Sequence, residues 1–473
     1  MQSRPRVVIV GGGISGLATA HYLRRRLGAG AQLTLVEGAS QLGGKVAARR
    51  IGRHLVDTGP DAILVRSPGT RALLEDLGLT DQLVAPGVQG AYVWSRGRLC
   101  RLPPGTLFGV PDRLVPLIRS RLLSPLGLAR AAFDLVLPRS RPVSDDPSVA
   151  DLVRPRLGLQ VSERLVEPLL GGVHAGLASE LSAGSTAPEI AALARGNRSL
   201  YLGLRRLRRG APRVSGGPVL VTVNGGLGRF VEALSAPMAD DDVRLGSSAS
   251  RVTRIEAGYQ VDLVDGRSIA ADAVVLATPA FVSARLVAEM APDAAAVLTQ
   301  VRYADVATIT LAYPHSAVVR ALDGTGFLVP PQEGKLLVGC SWSSVKWPHL
   351  ADDSFVVIRC MVGRYGDRRW LDLDDETLVR RVHEELVAAM GLASGPVQQH
   401  VQRWPLGMPQ YLVGHRDRLD AVDAALRHLP GLHLTGASYR GVGLASCVAD
   451  AERTAQSVAE GLGDIRPVAE VNS

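Results

Sequence analysis

An α/β chain, α+β overall, is predicted, with a parallel-sheet unit at its start and domains that share the sequence discontinuously. The first observation is "VVIVGGGISGLATA" (Val7–Ala20), where a short apolar strand runs through glycines into a helix. The second is a run of strand-like segments between about residues 250 and 363. The third is "TGASYRGVGLASCV" (Thr435–Val448), a second glycine-rich passage into a helix near the other end. With α/β pieces at both ends and in the middle, the chain does not divide into consecutive units.

Arg6–Val10 reads as a buried strand, short, β-branched and stopped by glycine. Ile14–Leu27 has helical spacing, with Leu17, Ala20 and Leu23 on one side. Ala31–Glu37 is a second strand, completing a strand–helix–strand unit that calls for a parallel sheet. A glycine-punctuated segment, Leu42–Arg66, follows. From about Ser67 to Arg164 the pattern is mostly helical, broken by Pro111, Pro116, Pro125 and Pro138. Pro218–Val223 returns to strand and Gly228–Leu234 to helix. "RVTRI" and "YQVDLV" alternate, a DG turn at Asp265–Gly266 reverses the chain, and "AVVLATP" is a buried strand. Strands fill Val301–Gly363, and Asp374–Met390 is a helix opened by acidic residues that suit its N-terminus. "LHLTG" is a last strand, after which Gly441–Ala459 starts with glycines and turns helical.

Composition limits the function classes. The 473 residues, 46% hydrophobic and 21% charged, describe a globular chain of two or three domains. Net charge is +8, yet lysine occurs only at Lys45, Lys335 and Lys346, and arginine supplies the rest. The arginines are interleaved with carboxylates and aromatics are only 4%, which speaks against nucleic-acid binding. Cys100, Cys340, Cys360 and Cys447 stand far apart without a CxxC pair. Neither a metal site nor a disulfide framework is expected, and a reducing cytoplasm fits. The opening "MQSRPRVVIVGGG" has no signal-peptide core. The most apolar helical stretch, Leu126–Leu137, is interrupted by Arg130 and Asp134 and falls short of the roughly 20 residues that span a bilayer.

Chemistry begins at Gly11, Gly13 and Gly16, a GxGxxG between strand and helix, with Glu37 ending the next strand about 20 residues further on. Gly11 permits the tight turn, Gly13 lets the backbone approach a pyrophosphate, and Gly16 lets the helix pack on the strand. Free N–H groups and the dipole at the helix start attract phosphates, and Glu37 suits a ribose hydroxyl. NAD and FAD share this fingerprint. "GASQLGGKV" then places Gly43, Gly44 and the basic Lys45 just beyond the acidic strand, a pattern of amine-oxidase-type flavoproteins in which the chain runs close to an extended dinucleotide. "NGGLGRF" (Asn224–Phe230) has the wrong spacing for a second, nicotinamide site. Electrons from a flavin would then leave to oxygen or another small acceptor.

Other constellations fail. "GASYRG" (Gly436–Gly441) has Arg440 where a nucleophile elbow needs glycine, and "VHEEL" (Val382–Leu386) lacks the second histidine of a zinc protease. His174, His383 and His415 are isolated, and "RRLRRG" (Arg205–Gly210) reads as a solvated face. Arg113–Arg141 mixes leucines with six arginines against Asp134, which fits a helical subdomain with exposed arginines or an anionic membrane surface.

Together, "VVIVGGGISGLATAHYL", "TLVEGASQLGGKV", "DTGPDAILVR", "VEPLLGGVHAG", "KWPH", "RWPLGMPQYLVGHRDR" and "TGASYRGVGLASCV" resemble the coproporphyrinogen III/protoporphyrinogen oxidases of Gram-positive type, amine-oxidase-like FAD flavoproteins. Similarity runs from the first strand to the last helix. "EPLLGGVHAG" (Glu167–Gly176) and "MPQY" (Met408–Tyr411) are the segments that point to porphyrinogen. The resemblance implies a Rossmann-type FAD-binding domain over 1–48, 218–285 and 405–473. It also implies a sheet-based substrate domain over 49–60, 165–217 and 286–404, and a helical, membrane-facing subdomain over 61–164.

FAD contacts are implied at Gly11, Gly12, Gly13, Ile14, Ser15, Gly16 and Leu17, at Glu37, Gly38, Gly43, Gly44 and Lys45, and at Gly59, Pro60, Asp61 and Ala62. Val252 would offer its backbone to the adenine, Trp404 would lie by the isoalloxazine, and Gly436, Val442, Gly443 and Leu444 would face the ribityl chain and ring. Mitochondrial and plant relatives carry an arginine after the "GP", where it pairs with a substrate propionate. Here the position is Asp61, so that contact does not transfer, and Arg66 is the remaining candidate for substrate.

The implied activity is six-electron oxidation of coproporphyrinogen III to coproporphyrin III in haem biosynthesis. It takes three cycles, with flavin N5 as hydride acceptor, oxygen as final acceptor, and neither a catalytic side chain nor a metal. Hydride transfer needs an apolar, oriented cavity more than an acid–base pair, which fits a sequence without a credible dyad. Peripheral membrane contact and handover to ferrochelatase are also implied. Three alternatives stay open: protoporphyrinogen IX oxidation, an amine oxidase or carotenoid desaturase on the same fold, and a noncatalytic GDP-dissociation-inhibitor-like binding protein. The last has no need of two complete glycine clusters.

Overall fold

A computed structural model describes residues 4–137, 144–210, 218–238 and 242–464. Its parallel sheet gathers strands from most of the chain: β1 (Arg6–Val10), β2 (Gln32–Val36), β3 (Asp242–Arg244), β4 (Ala273–Leu276) and β5 (Leu432–Leu434). They lie in the order β3-β2-β1-β4-β5, every neighbouring pair parallel. The chain leaves β1 on one side and returns on the other, so a switch point opens at the carboxyl ends of β1 and β4. Doubly wound sheets bind their ligands at that crevice.

Alternation along the strands buries both faces of this sheet. Val7, Ile9 and Val275 join one apolar cluster with α1 (Ile14–Leu27) and α2 (Leu444–Asp464), while Val8, Val10, Val274 and Leu276 join another. Continuous apolar strands are what a sheet covered on both faces requires. The start of α1 lies directly on the sheet because Gly16 has no side chain: a Cβ there would collide with the carbonyl oxygen of Gly11. Gly11, at φ 110°, in turn faces the carbonyl of Ala277 at the end of β4, 2.7 Å from where its own Cβ would stand.

A second, mixed sheet has seven strands, in the order Gln398–Gln410, Arg302–Pro314, Phe355–Val362, Leu337–Ser341, Gly326–Leu328, Tyr92–Ser95 and Arg98–Arg101. The last two correct the helical expectation for Ser67–Arg164, because residues 83–111 form short strands instead. Tyr92, Val93 and Trp94 are strong strand formers that bury into cores. Arg96 and Gly97, both at positive φ, close the two-residue hairpin. Helices do occupy Pro68–Asp76, Leu114–Ser120, Pro125–Ala132 and Val149–Leu157. Leu117, Leu152, Val166, Leu170, Ile190 and Leu204 belong to a separate helical core. Pro138, Arg139 and Arg141 lie outside the described residues. Among the described residues, no helix is long and apolar enough to cross a membrane.

Gly16→Ala is expected to lower the unfolding free energy by about 3 kcal/mol, since α1 must lift off the sheet. Chemical denaturation of the purified variant checks this.

Candidate functional site

The glycines interlock at the carboxyl ends of β1 and β4. Gly43 N donates to Gly12 O at 2.9 Å, Gly13 and Gly43 form a parallel bridge, and a Cβ on Gly44 would stand 3.2 Å from Gly13 Cα. Glu37 ties the turn: its Oε2 accepts from Gly12 N at 2.6 Å and its Oε1 from Ala39 N at 2.7 Å. Each oxygen has a second lone pair, so both can still accept a hydroxyl. Gly38 rests on Ser248, which immediately precedes the strand Ala249–Ile255. Val252 of that strand is fully buried with Val8, Val10 and Val36.

Two features suit this crevice to an anionic ligand. Helix α1 starts without a side-chain cap and without an acidic residue in its first turn. The helix Asp375–Met390, by contrast, is capped by Asp374, which accepts from Thr377 N at 2.7 Å. The dipole and free N–H groups of α1 are therefore available to phosphate. Gly13, with φ −74°, has nothing within 4 Å of where a Cβ would stand, so the protein itself does not demand glycine there. A ligand crossing the helix start would.

The terminal cluster reaches the first one. A Cβ on Gly436 would stand 3.8 Å from Ser15 Oγ, and Cys447 Sγ of α2 donates to Gly441 O at 3.6 Å. Burial pushes the Cys447 thiol up to about 11 and lowers the nearby Lys45 ammonium. Gly59 packs on the Lys45 carbonyl, and Trp404 Nε1 donates to Thr58 O at 3.2 Å. Leu444 opens α2, with Val442 and Gly443 just before it. Segments as far apart in sequence as Ser15 and Cys447 thus line one crevice.

Asp61 is the centre of a buried charge group. Its Oδ2 accepts from Lys346 Nζ at 2.8 Å and from Trp347 Nε1 at 3.1 Å, and lies 3.1 Å from Arg359 Nη1. Arg359 also donates to Gly59 O. Burial opposes ionisation of Asp61, but Lys346 and Arg359 outweigh it and hold the carboxyl well below the usual carboxylate range. Asp57 fares differently: burial first, then the Asp61 charge, pushes it up to about 7. Both Asp57 oxygens accept from Leu227 N, at 3.0 and 3.2 Å.

Lys346, Trp347, Arg359 and Asp57 carried no individual role in the sequence expectations. The rarity of lysine was a signal for Lys346, and Asp57 stood within "DTGPDAILVR", but Arg359 lies unmarked inside an apolar strand. Arg66 is exposed, and among the described residues no ion pair joins it to this group.

The two porphyrinogen-marking segments also touch. Gln410 Nε2 donates to His174 O at 2.8 Å, and Gly176 packs on Gln410 Oε1. A cavity of about 340 Å³ lies elsewhere, behind the terminal loop, lined by residues that include Asp423, Arg440, Asp450 and Arg453. No glycine of either cluster lines it, and its charged walls do not suit an apolar ring.

The family of flavin containing amine oxidoreductases matches residues 14–459. The chain belongs to this family. Among its members, the coproporphyrinogen III oxidase of Bacillus subtilis (strain 168) is 33% identical over 456 residues, covering 94% of this chain and 96% of the relative. The coproporphyrinogen III oxidase of Mycobacterium tuberculosis (strain ATCC 25618 / H37Rv) is 36% identical over 455 residues, covering 96% and 97%. A crystal structure from Exiguobacterium sp. 255-15, described as a protoporphyrinogen oxidase, has a TM-score of 0.86 at 31% identity, covering 97% of this chain and 100% of that one. As a member of this flavin-containing family, the protein takes a flavin cofactor.

The charge group yields two expectations. Asp57 holds its proton more tightly folded than unfolded, so its contribution to stability is present below about pH 4 and is lost as pH rises through about 7. Asp57→Asn keeps an acceptor for Leu227 N–H and should gain on the order of 2 kcal/mol relative to wild type between pH 5 and pH 8, read from urea unfolding at both. Asp61→Ala leaves two buried cations unpaired and should cost about 3–5 kcal/mol in the same assay at pH 7.

Proposed function

We propose that the chain oxidises coproporphyrinogen III to coproporphyrin III, a step of haem biosynthesis, with FAD as its flavin and oxygen as the terminal acceptor. The observation that carries this is the packing of Gln410 on His174, joining the two porphyrinogen-marking segments. The next residue, Tyr411, bonds the terminal glycine loop. Substrate-marking and flavin-facing elements thus share one neighbourhood. Full-length identity of 33% and 36% to coproporphyrinogen III oxidases supports the substrate.

In this proposal Gly11–Leu17 hold the pyrophosphate over the start of α1, Glu37 and Gly38 the ribose, and the Val252 backbone the adenine. Gly43, Gly44, Lys45 and Gly59–Ala62 flank the middle of the cofactor. Trp404, Gly436, Val442, Gly443 and Leu444 surround the ring. Bound FAD supplies a two-electron acceptor that oxygen restores, so three rounds complete a six-electron oxidation.

The side chains contribute orientation and exclusion of water rather than proton transfer. Asp61 is neutralised by Lys346 and Arg359, so the Gly59–Ala62 stretch does not repel a substrate with four propionates. Burial lowers His174 and His415 to about 4, which keeps both neutral at physiological pH. Arg66 is the exposed cation proposed to meet a propionate. Val115, Ile118, Leu126, Phe133 and Val136 are exposed, and Arg113, Arg119 and Arg121 are exposed in the same segment. Peripheral contact with an anionic membrane is proposed for that face.

Mixing coproporphyrinogen III with the holoenzyme without oxygen should bleach the oxidised flavin band, and a band that persists overturns the assignment. In steady state, kcat/KM for coproporphyrinogen III should exceed that for protoporphyrinogen IX by about tenfold or more. Gly13→Ala should purify without colour, while its thermal stability stays within about 1 kcal/mol of the wild-type protein stripped of flavin, because the new methyl blocks only the ligand.

A further inference from the structure

The loop Thr435–Gly443 carries glycines assigned above to the ring end of the flavin, and one outside side chain ties its two arms together. The Tyr411 hydroxyl donates to Ala437 O at 2.7 Å and accepts from Gly441 N at 2.7 Å. Both partners are backbone groups, four residues apart, so the phenol acts as a cross-link. Gly441 sits at φ 137°, a conformation that L side chains rarely adopt. The direction of its N–H depends on finding an acceptor there.

Tyr411 is itself held on every side. It is 2% exposed, and its own carbonyl accepts from Ser182 N at 2.8 Å. Its ring stacks on His415, with centroids 3.9 Å apart and planes 11° apart. His415 Nε2 meets Tyr439 O at 2.8 Å; a carbonyl brings no proton, so the nitrogen donates. Two rings from "MPQYLVGH" thereby fix the loop at 437, 439 and 441. Burial keeps the phenol protonated and able to donate.

The other anchors hold the loop differently. Asp450 Oδ2 accepts from Thr435 Oγ1 at 3.0 Å and Gly436 N at 3.1 Å, and its Oδ1 reaches the second arm only through the Arg440 side chain, at 3.7 Å. Tyr303 bonds Ser438 at 2.7 Å. Tyr411 spans both arms, just before Val442, Gly443 and Leu444.

We propose that Tyr411 is a positioning residue for the flavin ring, setting through Ala437 and Gly441 the place at which Val442–Leu444 meet it. This rests on the assignment of that loop to the ring end of FAD. The hydroxyl contacts backbone only, so it acts through the loop and is not a catalytic group.

Tyr411→Phe keeps the ring and its stack on His415 and deletes one oxygen. In the holoenzyme it should weaken FAD retention about tenfold, shift the visible flavin band and the reduction potential, and lower kcat more than it changes KM. Tyr313→Phe is the control, because it deletes an equally buried hydroxyl, 3.0 Å from His383 Nδ1, in the second sheet. It should lower the melting temperature and leave the flavin band and potential at wild-type values. A Tyr411→Phe protein with wild-type FAD affinity, band and potential overturns the proposal, whatever its melting temperature. A wild-type protein that takes up no FAD overturns the cofactor assignment instead, which is a separate result.

Discussion

Close approach of backbone to backbone governs this molecule. At Gly11, Gly16 and Gly59 a carbonyl oxygen from another segment occupies the space where a side chain would begin. Those contacts press the start of α1 against the ends of β1 and β4 and bring the Gly59 loop onto Lys45. The uncapped helix start is consequently aimed into the crevice, where its donors need an external partner. Gly13 stands apart from these three because open space surrounds it. Packing explains the glycines that shape the crevice, whereas nothing in the packing requires the one that faces it.

The charge group around Asp61 works at a different level. Asp57 ends a hairpin strand and reaches Leu227 N, whereas Asp61 reaches Arg359 in the second sheet. The five residues from Asp57 to Asp61 therefore link the first glycine unit to the mixed sheet through polar bonds as well as packing. Two carboxylates this close cannot both ionise freely. The cations settle on Asp61, and Asp57 absorbs the conflict as a raised pKa. Removing either cation would cost more than never having buried the group, because the partner charge would stay behind without water.

How much the sequence disclosed depended on how local the cause was. The limits of β1 and α1 match expectation to the residue, because strand, glycine turn and helix are set by neighbours. Tyr92–Ser95 and Arg98–Arg101 did not, because Tyr92–Ser95 becomes a strand by pairing with Gly326–Leu328, some 230 residues away, and Arg98–Arg101 then adds to it through the hairpin. Glycine spacing announced the crevice. Arg359 and Tyr411 gave no individual signal, since a buried arginine is defined by the carboxylate it meets and a tyrosine by the loop its hydroxyl crosses. "MPQY" marked Tyr411 only as part of a resemblance, without a reason for it to be there.

The same dependence on distant partners constrains how the site can form. Helix α1 packs in one cluster with Val448, Ala451, Ala455 and Val458 of α2, and Ser15 lies beside Gly436 of the terminal loop. Strand β5 adds to the sheet beside β4, and the loop after β5 is held by Tyr411 and His415 from outside it. The crevice at the start of α1 and the terminal glycine loop are therefore not two modules that a ligand brings together. Each is built partly from the other's packing, so a chain lacking α2 would expose the apolar face of α1 as well as lose the support of that loop. A ligand that touches both ends stabilises the fold by an amount that grows with the logarithm of its affinity. Such a ligand would bridge residues more than four hundred positions apart, such as Ser15 and Gly436.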